Sequence, residues 1–161
     1  MHVKLQELYL AELEEARSAR SQLAERLGDL AARASDQQLR QKIEEHREEA
    51  ALHRDRIEQL IQGHANRPQT HSDGSMAAML RETEKLAGMV DDPAVRDAGL
   101  IASLQRMEHY TIAVLGTLAA WARQLGHDRD AQVLTELLEQ DKRADARLSQ
   151  IAGTMVNPAA A

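Results

Sequence analysis

The chain contains no cysteine, which excludes disulfides, thiolate nucleophiles and zinc–thiolate sites and suits a reducing cytosol. Phenylalanine is also absent, tryptophan occurs once, and there are only 3 prolines and 8 glycines. With few helix breakers and few strand-forming aromatics, the balance favours helices packed through Leu, Ala, Ile and Val. No basic run interrupts the sequence and the net charge is -6, which argues against a surface for the phosphates of a nucleic acid. No membrane-spanning run is present either: the longest apolar stretch, Thr111 to Ala122, is too short for a bilayer and continues into Arg123. The first residues, Met1-His2-Val3-Lys4, lead into an amphipathic segment without the apolar centre of a signal peptide. A cytoplasmic protein without membrane or nucleic-acid partners is expected.

What is present is helical rhythm, over a length of 161 residues that suits one compact domain. Leu5, Leu8, Glu12, Ala16, Ala19, Leu23, Leu27 and Leu30 recur at steps of three and four residues and predict a first helix. The capping sequence Ser35-Asp36-Gln37-Gln38 opens a second, through Leu39, Ile43, His46, Ala50, His53, Ile57 and Leu60, which stops near Gly63. From His64 to Asp92 the sequence holds Pro68 and a Ser-Asp-Gly turn, with Pro93 directly after it and a helical middle from Met76 to Met89. A third long helix begins after Pro93, runs through Leu100, Leu104, Glu108, Thr111, Leu115, Leu118, Ala122 and Leu125, and stops at Gly126. A fourth passes Leu134, Leu138, Asp141, Asp145, Leu148 and Ala152, and ends before Asn157-Pro158.

The links between these segments set the topology. Two are only a few residues long, so helices one and two, and helices three and four, form antiparallel hairpins. The long connection between them, carrying a short extra helix, lets helices two and three run parallel. This predicts an all-α, ferritin-like four-helix bundle over residues 1–157, followed by a tail at 158–161.

Each predicted helix interrupts its aliphatic stripe with an acid: Glu12, then Glu49 beside His46 and His53, then Glu108, then Asp145 with Asp141. A single acid near a stripe is usually at its solvated edge; four, one per helix, are harder to place there. Glu12 and Glu49 are 37 residues apart, as are Glu108 and Asp145, so the chain reads as one helical hairpin used twice. Counting from each turn puts every acid within about a turn and a half of its partner. With no Lys or Arg recognised on the stripes, buried carboxylates need cations from elsewhere. Two divalent ions would balance four carboxylates, and mixed carboxylate–imidazole ligands favour iron or manganese. The predicted metal ligands are Glu12, His46, Glu49, His53, Glu108, Asp141 and Asp145.

The chain also resembles a known family, the YciE/YciF-type ferritin-like stress proteins of bacteria, a domain long described as of unknown function. The resemblance spans nearly the whole chain and rests on Leu8-Tyr9-Leu10-Ala11-Glu12, His46-Arg47-Glu48-Glu49, Arg56-Ile57-Glu58-Gln59-Leu60, Arg96-Asp97-Ala98 and Arg106-Met107-Glu108-His109-Tyr110. It continues through Gly116-Thr117-Leu118, Ala144-Asp145 before Leu148, and Val156-Asn157. It implies a ferritin-like bundle, commonly a homodimer, with a carboxylate metal site and a role in stress resistance, including chemistry on a small oxidant such as peroxide. Departures fall at the site itself. Thr111 stands where the family tends to have a second acid, Gln140-Asp141 where it favours consecutive glutamates, Ala50 where Thr is usual and His53 where Gln is common. They leave either a remodelled site with an extra imidazole or a site losing its metal.

Other residues have plainer expectations. His109 is rotated about 100° from Glu108 and is expected to pack against a neighbouring helix or subunit. Tyr9 either supports a ligating carboxylate through its hydroxyl or places its ring in the core. His64 and His71 are expected in solvent, and the 6 methionines read as packing. Three function classes remain: a di-iron or di-manganese protein consuming peroxide or dioxygen, an iron store, which requires a shell of many subunits, and a metal-free bundle acting through its oligomer or a protein partner.

Overall fold

A computed structural model describes residues 4–64 and 71–161. Its helices are α1 (Leu5–Arg33), α2 (Gln37–Gly63), α3 (Gly74–Met89), α4 (Pro93–Gln124), α5 (Asp128–Ile151) and a short α6 (Asn157–Ala160), and the described residues contain no strand. Three helix starts are fixed by aspartates whose carboxylates accept the first free backbone N–H groups: Asp36 from Leu39, Asp73 from Ser75 and Met76, Asp92 from Ala94 and Val95. Pro93 follows Asp92 in the first turn of α4, where a missing N–H costs nothing. At the other end of α4, Gly126 adopts φ 75°. That left-handed residue lets His127 N–H reach Ala122 C=O and Gly126 N–H reach Arg123 C=O, the two bonds that close a helix and reverse the chain.

Hairpins α1–α2 and α4–α5 form the two halves of a ferritin-like four-helix bundle, and α3 lies across α1 and α4. Contacts at the ends give the directions. Gln6, at the start of α1, meets His127 after α4, while Ser35 and Asp36, after α1, meet Asp97 at the start of α4. α1 and α4 are therefore antiparallel, and α2 and α4 run parallel, as the long crossover requires. Gly99 lets α3 come close: a Cβ there would stand 2.7 Å from Leu86 Cδ2.

The apolar core is in two pieces. One, towards the α1–α2 turn, joins Leu23, Leu27, Leu30, Ile43, Leu100, Leu104 and Leu148. The other, towards the α4–α5 turn, joins Leu13, Ile57, Leu115, Leu118, Leu134 and Leu137. The residues at the levels between them are polar, and they form the site described below. The predicted tail is structured. After α5 the chain widens into a π-helical turn, Ala152–Val156, and continues into α6, with Val156 buried in the first core piece and both segments against α4. Pro158 falls in the first turn of α6, so it does not stop the chain from coiling again.

The α1–α2 turn depends on α4. Buried Asp97 accepts the backbone N–H of Ser35 with both carboxylate oxygens and that of Asp36 at 2.7 Å, and Arg96 donates to Arg33 C=O and to the Ser35 hydroxyl. Removing one carboxylate orphans both donors, so Asp97→Ala is expected to cost about 2–3 kcal/mol. Asp97→Asn, which keeps one acceptor oxygen, is expected to cost less than half of that. Urea denaturation of the three proteins compares them; equal midpoints would show that the turn holds without Asp97.

Candidate functional site

The polar layer between the core pieces is built from one or two residues of each long helix. α1 contributes Arg20, only 2% exposed, from the run Leu13, Ala16, Arg20, Leu23, Leu27, Leu30 that faces the core throughout. α2 contributes His46 and His53, buried at two-turn spacing, with Lys42 at their edge. α4 contributes Glu108, fully buried, and α5 contributes Asp141. Arg20 Nη2 donates to Asp141 Oδ2 in a buried ion pair at the centre of the layer.

The imidazoles and Glu108 are less well satisfied. His53 Nε2 lies 2.6 Å from Gln140 Oε1. An amide oxygen only accepts, so Nε2 carries the proton and Nδ1 is a bare lone pair, 3.6 Å from Asp141 Oδ1. His46 Nε2 stands 3.3 Å from Glu108 Oε1 without hydrogen-bond geometry. His46 Nε2, His53 Nδ1 and both carboxylate oxygens of Glu108 have no hydrogen-bond partner.

Burial dominates their titration. It lifts Glu108 to about 8, helped by the Asp141 charge, with Arg20 and Lys42 pulling the other way. It lowers His46 to about 3 and His53 to about 4, in both cases assisted by the positive charge of Arg20. At neutral pH the layer therefore holds one ion pair, a protonated Glu108 and two neutral imidazoles.

The seven residues expected to bind metal separate into two groups. His46, His53, Glu108 and Asp141 come together, and Glu49, half-buried, stands beside them, its carboxyl raised mainly by burial. Glu12 does not. It lies near Glu15 and Asp73, and burial together with these two charges raises its pKa. Asp145 sits one turn beyond Asp141, accepting from Gln105 and lying 3.4 Å from His109, itself exposed. The four acids chosen one per helix do not converge. The reason is axial level: Glu12 is about 12 Å farther along α1 than Arg20, and Arg20 occupies the height at which a fourth carboxylate was expected. The 37-residue spacing paired Glu12 with Glu49 at different levels, whereas Asp145 stands level with Glu108 but turns to Gln105 and His109 instead.

The expectation that the stripes carry no Lys or Arg is corrected by Arg20 and Lys42. Arg20 was readable, because it falls in the 3-4-3-4 succession of buried α1 positions; the habit of arginine to keep its head in water hid it. Thr111 turns its hydroxyl back to Glu108 C=O and adds no ligand. Tyr9 is fully buried, but its hydroxyl donates to Asp130, far from the layer, next to His64 and His127. His64, expected in solvent, lies 2.7 Å from that same carboxylate and is mostly buried. His71 is 2.6 Å from Glu15.

Among the described residues no group of three His, Asp or Glu side chains is placed to hold a metal ion, and one of the expected ligands, Asp141, is paired with Arg20. No helix among the described residues is long and apolar enough to cross a membrane.

Comparison with known proteins places this architecture in context. The chain is 34% identical over 154 residues to Protein YciF of Escherichia coli (strain K12), covering 95% of this chain and 93% of that protein. The crystal structure of the E. coli stress protein YciF superposes with a TM-score of 0.91 at 33% identity, covering 97% of this chain and 99% of that one. YcfI, a putative structural protein from Rhodopseudomonas palustris, superposes with a TM-score of 0.88 at 31% identity, covering 91% and 94%. The family described as a domain of unknown function, DUF892, matches residues 4–161, and the chain belongs to that family.

Proposed function

We propose that this protein is a stress-response bundle of the YciF kind whose core works without metal, and that it acts as a homodimer through its surface in the cytoplasm. The observation that carries this reading is the Arg20–Asp141 pair at the centre of the polar layer. One cation of the protein's own stands where di-metal chemistry needs carboxylates. A proton on Glu108 removes the second buried negative charge. Side chains thus supply the neutralisation that ions would otherwise supply, and the description of the R. palustris neighbour as a putative structural protein agrees with this. Iron storage finds no support in a layer led by arginine.

A second reading, a di-iron or di-manganese oxidoreductase acting on peroxide or dioxygen, is favoured by one observation: the unpartnered oxygens of Glu108 beside unpartnered nitrogens of His46 and His53. Elemental analysis after purification without chelators separates the two. The expected result is well under one iron or manganese per chain, with a melting temperature unmoved by EDTA; two ions per chain and a drop on chelation would favour the oxidoreductase. Arg20→Glu supplies the missing acid from α1, and the variant, unlike the parent, is expected to melt higher when manganese is added.

The proton on Glu108 gives a pH signature. Glu108 holds its proton more tightly folded (about 8) than at its ordinary 4.5, so its contribution is complete below 4.5 and lost as pH rises to about 8. His46 and His53, lowered from 6.5 to about 3 and about 4, act in the opposite sense and cost stability as pH falls below 6.5. Stability is expected to peak near pH 6.5 and to fall towards pH 8 at about 1.4 kcal/mol per pH unit. In Glu108→Gln the alkaline fall should be largely absent in chemical denaturation at pH 6.5, 7.2 and 8, while the acid fall remains; parallel profiles would contradict the assignment.

A further inference from the structure

A groove of about 830 Å³ runs between α2 and α5, with His53 and Gln140 among its lining residues. Its charges are unevenly matched. Arg56 is held by Glu136 at 2.7 Å, Asp55 by Arg54 at 2.7 Å and Lys42, more loosely, by Glu45 at 3.7 Å, which leaves Arg143 and Arg147 as the cations without a carboxylate partner and Lys42 as one only weakly held. Lys42 is 8% exposed, its ammonium makes no hydrogen bond among the described residues, and its nearest carboxylate, Glu45, is 3.7 Å away. A lysine whose stem is packed and whose ammonium makes no hydrogen bond can turn to an arriving anion without breaking one. Arg143 and Arg147 lie one turn apart on α5, a spacing that puts both on one face of the helix, and neither has an ion-pair partner among the described residues. Guanidinium groups grip phosphate oxygens in pairs. Of the two other acids of the groove, Glu45 pairs with Lys42 and also accepts from Gln41, and Glu49 is half-buried.

We infer that this groove is a binding site for a small phosphate-bearing anion, with Lys42 on the α2 wall and Arg143 and Arg147 on the α5 wall. The overall charge of -6 repels a long polyanion but does not oppose a compact one seated among three cations. A groove of this size exceeds one phosphate and matches small-molecule sites; Leu52 and Ala144, which also line it, offer apolar contact to an organic substituent.

Isothermal titration of the full chain with inorganic phosphate and with phenyl phosphate tests the inference. Saturable binding, weakened at least tenfold by Lys42→Met and by the double change Arg143→Ser with Arg147→Ser, is expected. Arg129→Ser, in a neighbouring groove on the same helix, should leave it unchanged. Tighter binding of phenyl phosphate assigns an organic monoester, and equal binding assigns free phosphate. The inference is overturned if neither anion saturates, or if Arg129→Ser weakens binding as much as the groove variants. Circular dichroism and melting of each variant confirm the fold; Arg143 and Arg147 are exposed, so the double variant keeps the test valid should Lys42→Met not fold.

Discussion

A single buried ion pair, Arg20 with Asp141, constrains how the four long helices meet. Two charges withdrawn from water are costly, and removing one partner of such a pair typically costs about 3–5 kcal/mol because the other is left uncompensated. Arg20 comes from the first hairpin and Asp141 from the second, so the pair tolerates only one relative height of the two hairpins. Sliding one past the other by a turn would set a guanidinium against the leucines on either side. Hydrophobic packing alone leaves such shifts cheap, since the stripes of Leu and Ala repeat along every helix. The polar layer thus determines register, while the apolar pieces above and below supply most of the cohesion.

Aspartates, two buried and one partly so, repeat the same principle at the periphery. Asp97 receives the α1–α2 turn, and Asp73 caps α3 while accepting the Tyr110 hydroxyl at 2.7 Å. Asp130 gathers Tyr9 and His64 where α1, α2 and α5 converge. Each joins segments far apart in sequence by accepting several donors, which satisfies a buried carboxylate without a metal. The crossover between the hairpins is held by this means, its α3 cap tied to Ser18 and Gln22 of α1 as well as to Tyr110.

Helix positions, the short turns and the long crossover were legible in the sequence because they depend on local period and on caps such as Asp36, Asp92 with Pro93, and Gly126. His46, His53, Glu108 and Asp141 were legible as inward polar residues for the same reason. Their partner was not. Choosing among the polar residues of α1 needs axial level to within a turn, and the unequal ends of the hairpins blurred it enough to favour Glu12 over Arg20. The rule that arginine stays in water reinforced the error, although Leu13, Ala16, Leu23 and Leu27 bracket Arg20 on the buried face. Asp130 was hidden for another reason: its partners Tyr9 and His64 are 121 and 66 residues away, and no periodic pattern links them.

Division of the core into two pieces also divides the chain's few chromophores. The single tryptophan, Trp121, lies against the piece near the α4–α5 turn, which contains Tyr9, whereas Tyr110 lies against the other. Fluorescence of the indole therefore reports on one end of the rod, and the environment of Tyr110 on its middle and on the start of α3 that it anchors. End and middle are thus labelled differently, so loosening that starts near the α4–α5 turn has its own optical signature.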